Sequence, residues 1–382
     1  MATTTVQDNN KLVRYTKEIN REFVRENLFS PYMSADLNAI IRIRQELKAG
    51  GEQMNIPLVT KLRGGGTGSG TLVGNEEKID NYGMRLWVDW ARHAVTTKKS
   101  DRQKDSADIF SEAKPLLSDW GKERQRDDLI EAFMALPSEL APANLGSDAG
   151  DTVNGIRYEA ASAAQLNAWT AANSDRVLFG STVSNYSATH ATALANIDTT
   201  EKMSGAVLSL SKRRAMNANP AIKPYKVKTG YEYFVTFMGT NTFRDFKLDA
   251  DVKAANKDAR ARDVSTNPIF QDGDLIYDGV IVRQVPEISN YVTDVWTSLT
   301  TAGGSSGRIE PYFFCGQQAA VLAWGQMAKP TFRKEDDYGF IAGVGTEMCF
   351  ATGKMFKKHP MDGSSLKQWG MLSGFIAAPL DA

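Results

Sequence analysis

The tract Gly64-Gly65-Gly66-Thr67-Gly68-Ser69-Gly70 sits between two stretches of apolar alternation, and that combination leaves few arrangements open to the chain. Before it, Met54, Ile56, Leu58 and Leu62 recur against Gln53, Asn55, Pro57 and Lys61. After it, Met84, Leu86, Val88 and Trp90 recur against Arg85, Trp87, Asp89 and Ala91. A period of two half-buries a strand, so residues 53–95 read as a long hairpin with a glycine tip. Pro57 has no N–H to give to a ladder, which places the outgoing strand at an edge. At about 3.3 Å per residue, ten paired residues reach roughly 33 Å. A small domain does not cover that length, so the hairpin is expected to lie against a second chain.

Composition bounds the rest. A chain of 382 residues, 42% apolar and 24% charged, suits two or three compact globular units. Lys plus Arg number 45 and Asp plus Glu number 45, so no global basic field exists to hold nucleic acid. Met1 to Tyr15 lacks the apolar core of a signal peptide, and no apolar run reaches the length of about eighteen residues that spans a membrane. The chain is expected to stay in the cytoplasm where it is made. Cys315 and Cys349 form no CxxC pair and read as reduced, buried thiols.

In chain order, Lys11 to Leu28 carries Leu12, Ile19 and Phe23 near helical spacing and, with its polar lead, reads as an arm over residues 1–45. Ile41 and Ile43 alternate with Arg42 and Arg44, and Gly50-Gly51 turns the chain into the hairpin unit, residues 46–100. A long helical pattern follows from Asp101 to Leu136, about 54 Å at 1.5 Å per residue. Its ends are apolar (Ile109, Phe110, Leu116, Leu117, Trp120, and Ile130, Phe133, Met134), while Lys122 to Asp128 is charged on every side. Pro115 either bends this helix or divides it into two in line. Leu136 to Asn154 reads as loop, residues 155–200 as polar and alanine-rich with one strand candidate at Arg176 to Phe179, and Thr199 to Asn217 as helix. A further unit, residues 229–345, opens with a strand at Tyr231 to Met238. It continues with a polar helix at Asp249 to Arg262 and a hairpin turning on Asp278-Gly279. A buried strand at Tyr312 to Gly316 then leads into a helix at Gln317 to Met327. The tail, residues 346–382, returns in short strands. Strands and helices mix without a βαβ rhythm, so the fold class is α+β.

The search for chemistry is nearly empty. Gly65 and Gly70 have phosphate-loop separation, but Thr71 stands where the lysine belongs and no helix pattern follows. His93, His190 and His359 lack metal-ligand spacing, and Asp272-Gly273-Asp274 lacks the distal glutamate of a calcium loop. Glu76-Glu77 reads as solvated loop charge and Lys212-Arg213-Arg214 as a helix end favoured by the dipole. No catalytic residue, metal or cofactor is expected.

Several blocks taken together carry a resemblance. They are Glu46-Leu47-Lys48-Ala49-Gly50-Gly51, Leu62-Arg63 into the glycine tract, Leu72-Val73-Gly74-Asn75-Glu76-Glu77 and Trp90-Ala91-Arg92-His93-Ala94-Val95. Further along stand Tyr231 to Phe246, Asn267-Pro268-Ile269-Phe270, Tyr277-Asp278-Gly279-Val280 and Phe314-Cys315-Gly316-Gln317-Gln318-Ala319-Ala320. This pattern resembles the major capsid proteins of tailed bacteriophages, most closely the branch that includes N-four-like podophages. The resemblance implies the Hong Kong 97 type capsid fold: an N-terminal arm (1–45), an extended hairpin loop (46–100), a peripheral domain with a spine helix (101–228), an axial domain (229–345) and a C-terminal return (346–382). It implies a subunit of an icosahedral head that encloses double-stranded DNA without reading its sequence. Its partners would be copies of itself in hexamers and pentamers, a portal, a separate scaffolding protein and decoration proteins, with no membrane. On that reading Gly64, Gly65, Gly66, Gly68 and Gly70 form an inter-subunit hairpin tip, and Arg124 and Arg126 face carboxylates of the next subunit. The competing reading, a cytoplasmic phosphate- or nucleotide-binding enzyme using the Gly64 to Gly70 loop, lacks a lysine, a base and a metal set.

Overall fold

The computed structural model describes residues 25, 27–59, 62, 64–79, 81–104, 109–226, 230–259, 275–333, 337–358 and 365–381. Asp272-Gly273-Asp274, His359 and nearly all of the helix expected over Lys11 to Leu28 lie outside them. The first half of the chain forms β1 (Met33–Ser34), β2 (Ile41–Arg44), β3 (Gln53–Val59), β4 (Asn81–Trp87), β5 (Asp89–Lys98), α1 (Lys99–Lys104), α2 (Ala113–Met134), β6 (Val153–Asn154), α3 (Ala163–Ala172), β7 (Val177–Phe179) and α4 (His190–Ala195). The middle forms α5 (Gly205–Asn217), β8 (Tyr225–Lys226), β9 (Glu232–Met238), α6 (Thr240–Leu248), α7 (Ala250–Ala259), β10 (Leu275–Tyr277), β11 (Val280–Gln284) and α8 (Pro286–Asp294). The last part forms β12 (Ile309–Cys315), β13 (Ala320–Arg333), β14 (Ile341–Lys354), β15 (Phe356–Lys358), β16 (Leu366–Gln368) and β17 (Met371–Ala377).

Two sheets organise these elements. The first runs β1-β2-β13-β14-β5, with β6 added to β14; the second runs β10-β11-β9-β12-β17-β7, with β8 added to β9. Strands of the second sheet are apolar on both faces because both faces are covered, as a continuous apolar run demands. Val235, Phe237, Phe313, Cys315, Met371 and Phe375 point into the main core, and their sequence neighbours Phe234, Met238, Phe314, Leu372 and Ile376 point into a second core with Val207, Leu208, Phe243 and Phe246. Asp278 and Gly279 both take positive φ, 49° and 71°, which gives the tight β10–β11 turn that the Asp-Gly pair announces.

The second half of α2 fills the space between the sheets. Leu129, Ile130, Phe133 and Met134 share one core with Ile41, Leu322, Trp324 and Phe350 of the first sheet and Phe237, Phe313 and Phe375 of the second. At 22 residues α2 is about 33 Å long, shorter than the pattern suggested. Pro115 explains this: it is the third helical residue, inside the first turn, where an N–H has no intrahelical acceptor to lose. The preceding residues form α1 and a 3-10 turn at Ile109–Glu112 instead of one continuous helix.

The helix expected at Gln317 to Met327 is a strand. Ala320 to Trp324 pairs with β2 on one side and β14 on the other and is buried on both faces, so its side chains show neither a strand period nor a helix period. β13 and β14 form one 14-residue antiparallel pair that projects beyond the core. The expected boundary at residues 345–346 falls inside β14, and β7 with α3 to α5, from residues 101–228, packs with the second sheet.

Both cysteines are reduced and buried. His190 is buried among Trp169, Phe179 and Phe375, with Tyr158 Oη 2.9 Å from Nε2 and Thr170 Oγ1 2.8 Å from Nδ1. Burial lowers its pKa to about 4. The unfolded chain therefore binds a proton that the folded chain refuses between that value and the ordinary 6.5. Stability held above about pH 6.5 should fall by up to about 3 kcal/mol as pH drops toward 4. Urea unfolding of the subunit at a series of pH values should show this loss, and His190→Gln should flatten the slope in that window.

Candidate assembly surfaces

β3 and β4 pair from Gln53↔Trp87 to Val59↔Asn81, so the regular ladder holds seven residues a side, about 23 Å. Gly50 and Gly51, at φ 111° and 124°, turn the chain into it, and Pro57 lies on β3, which pairs with β4 alone. Met54 faces Leu86, Ile56 faces Met84 and Leu58 faces Tyr82. This inner face packs on Leu47, Val321, Cys349, Ala351, Met355 and Phe356, so the chain itself covers the base of the hairpin. A second chain is not needed there. The alternation then slips by one residue at Val88. Asp89 and Ala91 turn inward and Trp90 outward, 48% exposed, where β5 leaves the hairpin for the first sheet. The Asp89 carboxylate holds this junction, accepting from the N–H groups of Trp90 (2.8 Å), Gly146 (3.0 Å) and Asp151 (2.7 Å).

The tip is different. Val59, Leu62, Leu72, Val73 and Ile79 are exposed, Val73 to 80%. The carboxylate of Glu77 accepts from the Gly64 N–H and that of Glu76 from the Gly74 N–H, each at 2.7 Å, so these acids fold the loop onto itself. A Cβ at Gly65, Gly66 or Gly68 would meet nothing within 4 Å, and Gly70 would touch only the Thr67 methyl. Gly64 is the crowded member of the tract, a Cβ there lying 2.9 Å from the movable Glu77 carboxylate, so crowding explains little of it; Gly66 alone among its glycines takes a left-handed φ, 74°. No helix starts at Thr71, so the backbone cradle of a phosphate loop is missing.

A second apolar surface lies at the far end of the first sheet, where Val95, Leu116, Phe332, Tyr338 and Phe340 are exposed. A 480 Å³ groove there is lined by Val95, Thr97, Arg102, Phe110 and Leu116. Exposed apolar side chains gathered in one place mark an interaction surface more often than isolated ones do.

Arg124 and Arg126, expected to face the next subunit, find carboxylates inside their own chain. Arg124 Nε donates to Asp128 Oδ2 at 3.0 Å. Arg126 is 8% exposed, donates to Asp127 at 2.9 Å and lies 3.4 Å from Glu287 of α8. One turn further on, Glu131 and Asp151 both accept from Arg157, at 2.8 and 3.0 Å, and Thr152 Oγ1 donates to Asp128. Burial pushes the carboxyls of Asp127, Asp128 and Glu131 above their ordinary range despite these arginines. The charged middle of the spine is thus a half-buried ionic network that ties α2 to the residue 151–157 loop and to α8. Sequence order hides it, because Glu287 arrives some 160 residues after Arg126.

Among the described residues, no group of three His, Cys, Asp or Glu is placed to hold a metal, and no helix is long and apolar enough to cross a membrane. His93 stacks against Trp120 at 5.1 Å between ring centroids. Lys212 is paired with Asp278 at 3.1 Å.

The sequence model described as "Phage capsid protein" matches residues 3–372. The chain belongs to the phage capsid protein family. Among solved structures, the capsid asymmetric unit of cyanophage Pam1 is 36% identical and superposes with a TM-score of 0.86, covering 100% of both chains. The capsid of Ralstonia phage GP4 is 19% identical, with a TM-score of 0.70 and 100% of both chains covered. That of Helicobacter pylori bacteriophage KHP30 is 12% identical, with a TM-score of 0.67 over 97% of this chain and 96% of that one. No match was found among curated proteins. This phage capsid protein has the Hong Kong 97 type fold, and its role is structural. For such a subunit the ionic network is part of the scaffold that carries the surfaces. Removing one partner of a buried pair costs about 3–5 kcal/mol, since it strands the other charge. Arg126→Ala should therefore destabilise the unassembled subunit by that amount in urea unfolding, while Lys122→Ala, half exposed beside Asp119, should change it by less than about 0.5 kcal/mol.

Proposed function

We propose that this capsid subunit assembles in the host cytoplasm into hexamers and pentamers of a closed icosahedral head around double-stranded phage DNA. The observation that carries the reading is the hairpin: its base is covered by its own chain, and its apolar tip is exposed among the described residues. The first sheet with α2 takes the place of the peripheral domain and the second sheet that of the axial domain; because Phe29, Ile40 and Ile41 are buried in the subunit's own core, the arm beneath a neighbour shortens from residues 1–45 to those ahead of Phe29. Leu72 and Val73 of the tip lie on the adjacent subunit, where the freedom of Gly64, Gly65, Gly66, Gly68 and Gly70 lets the loop conform to hexameric and pentameric surroundings. Arg124, whose side chain is 34% exposed, keeps a face for a carboxylate of the next subunit. A portal, a separate scaffolding protein and decoration proteins complete the head. Equal numbers of acidic and basic residues suit a wall that encloses DNA without gripping it.

Expressed alone or with its scaffolding protein, the chain should form closed shells visible by negative-stain microscopy. Deleting Gly64 to Gly70 should leave urea unfolding of the subunit within about 0.5 kcal/mol of the parent, because the deleted residues touch no core. The yield of closed shells should fall. Shells at normal yield from the deletion would remove the hairpin from assembly.

The subunit carries no catalytic activity on this reading, since no nucleophile, base and oxyanion donors converge at the glycine loop. Isothermal titration with ATP should give no saturable heat. Micromolar binding abolished by replacing Gly65 and Gly70 with alanine would restore the nucleotide-loop reading.

A further inference from the structure

β5 closes one side of the first sheet, with β14 on its inner edge and no described strand on its outer one. Its 10 residues make it the longest marginal strand among those described. Elsewhere the margins are blunted: β1, β7 and β10 hold two or three residues each, β3 carries Pro57, and β13, once past β2, carries Pro330. Such devices stop one sheet from adding to another. Over Ala91 to Thr97, β5 has no proline, and its backbone pairs with β14 alone among the described residues. The edge shuts at Trp90, where a Cβ on Gly150 would come within 2.6 Å of the Trp90 carbonyl. From Arg92 to Thr96 every residue is exposed, so both faces are open as well as the edge. Arg92 is the one formal charge in that span, and a strand added here must not set a second cation against it.

The sequence of β5 itself meets that condition. Laid antiparallel on a second copy, about a two-fold axis through Ala94, it sets Arg92 opposite Thr96, His93 opposite Val95, Ala91 opposite Thr97 and Trp90 opposite Lys98. No like charges face each other, and the indole meets an ammonium, a favourable pair. The pleat keeps opposed residues on one face. His93 stacks on Trp120 of α2 at 5.1 Å, so both spine helices would lie on the same side of the joined sheet. Val95 and Trp90, 37% and 48% exposed, each gain a cover. Moving the axis to Val95 sets Arg92 against Lys98; moving it to His93 sets the two imidazoles together and Thr96 against the shut end at Trp90. We propose that β5 is a two-fold interface, at which a second copy of this chain adds its own β5 antiparallel and centred on Ala94, so that the first sheets of two subunits become one. The pairing rests on the self-association proposed above and adds to it a contact in which the hairpin tip has no part.

Cysteine cross-linking of the assembled full chain tests this. Both native cysteines are buried, so Ala94→Cys supplies the one exposed thiol. On the axis its Cβ atoms stand about 4.5–5.5 Å apart, within reach of a disulfide. At Arg92, two residues off the axis, the separation is about 13 Å. After diamide treatment, a non-reducing gel should show Ala94→Cys at double the subunit mass and Arg92→Cys at the single mass. Arg92→Cys combined with Thr96→Cys should return to the double mass. Adding Thr96→Arg to Ala94→Cys sets a second guanidinium against Arg92 of the partner subunit and should lower the dimer yield several-fold. Shells in which Ala94→Cys stays at the single mass, or a dimer band equally strong for Arg92→Cys, would overturn the pairing and leave the shell reading standing. Dimers without shells would do the reverse, and a chain that forms neither would overturn both.

Discussion

The contact on which the rest depends is the aromatic nest around Phe133. Its ring lies 5.6 Å from Phe29, 5.8 Å from Phe237 and 5.4 Å from Phe313, and Phe29 meets Phe237 edge-on at 4.9 Å. These four rings come from the N-terminal segment, the spine helix and two strands of the second sheet. Burying each such ring contributes about 1.5–3 kcal/mol, and the geometry of aromatic pairs restricts their mutual angles. Once Phe133 is seated, the helix cannot roll, and Asp128 and Glu131 on its adjoining turns are presented to Arg124, Thr152 and Arg157. The ionic network follows from the apolar seat, because charges so deeply placed are tolerated only where each finds a partner.

From that fixed centre the molecule divides its surface into two kinds. The hairpin base, the spine and both sheets bury their large apolar side chains within the chain. The hairpin tip and the far end of the β13–β14 pair leave large apolar side chains in water. The same protein is therefore rigid where it must hold shape and under-covered where it must meet a neighbour.

Local pattern made much of this legible. The strict alternation of exposed and buried residues along Gln53–Val59 is the period of two written in its residues, and the Asp278-Gly279 turn and Gly50-Gly51 are set by their own backbone needs. What stayed hidden depends on partners remote in sequence. Ala320 to Trp324 has no readable period because β2 and β14 bury both of its faces. Arg126 looks solvated until Glu287 is brought beside it. α3 carries a local signal of its own, the capping box of Ser162 and Gln165, but the polar and alanine-rich composition around it masks the helix. The slip at Val88, which exposes Trp90, could not be read from alternation because both registers offer apolar residues.

The threading of the chain sets the order in which it can become a subunit. β2 and β5 emerge early from the ribosome, but the strands that hold them, β13 and β14, are made last, with Ile41 paired to Ala320 about 280 residues away. Val321, Ala351 and Phe356 under the hairpin base are equally late. Pairings at such separation close slowly, and the hairpin stays without its seat until synthesis is nearly complete. A chain that stops short of β13 and β14 therefore lacks both the partner strands of β2 and β5 and the surface on which the hairpin base packs.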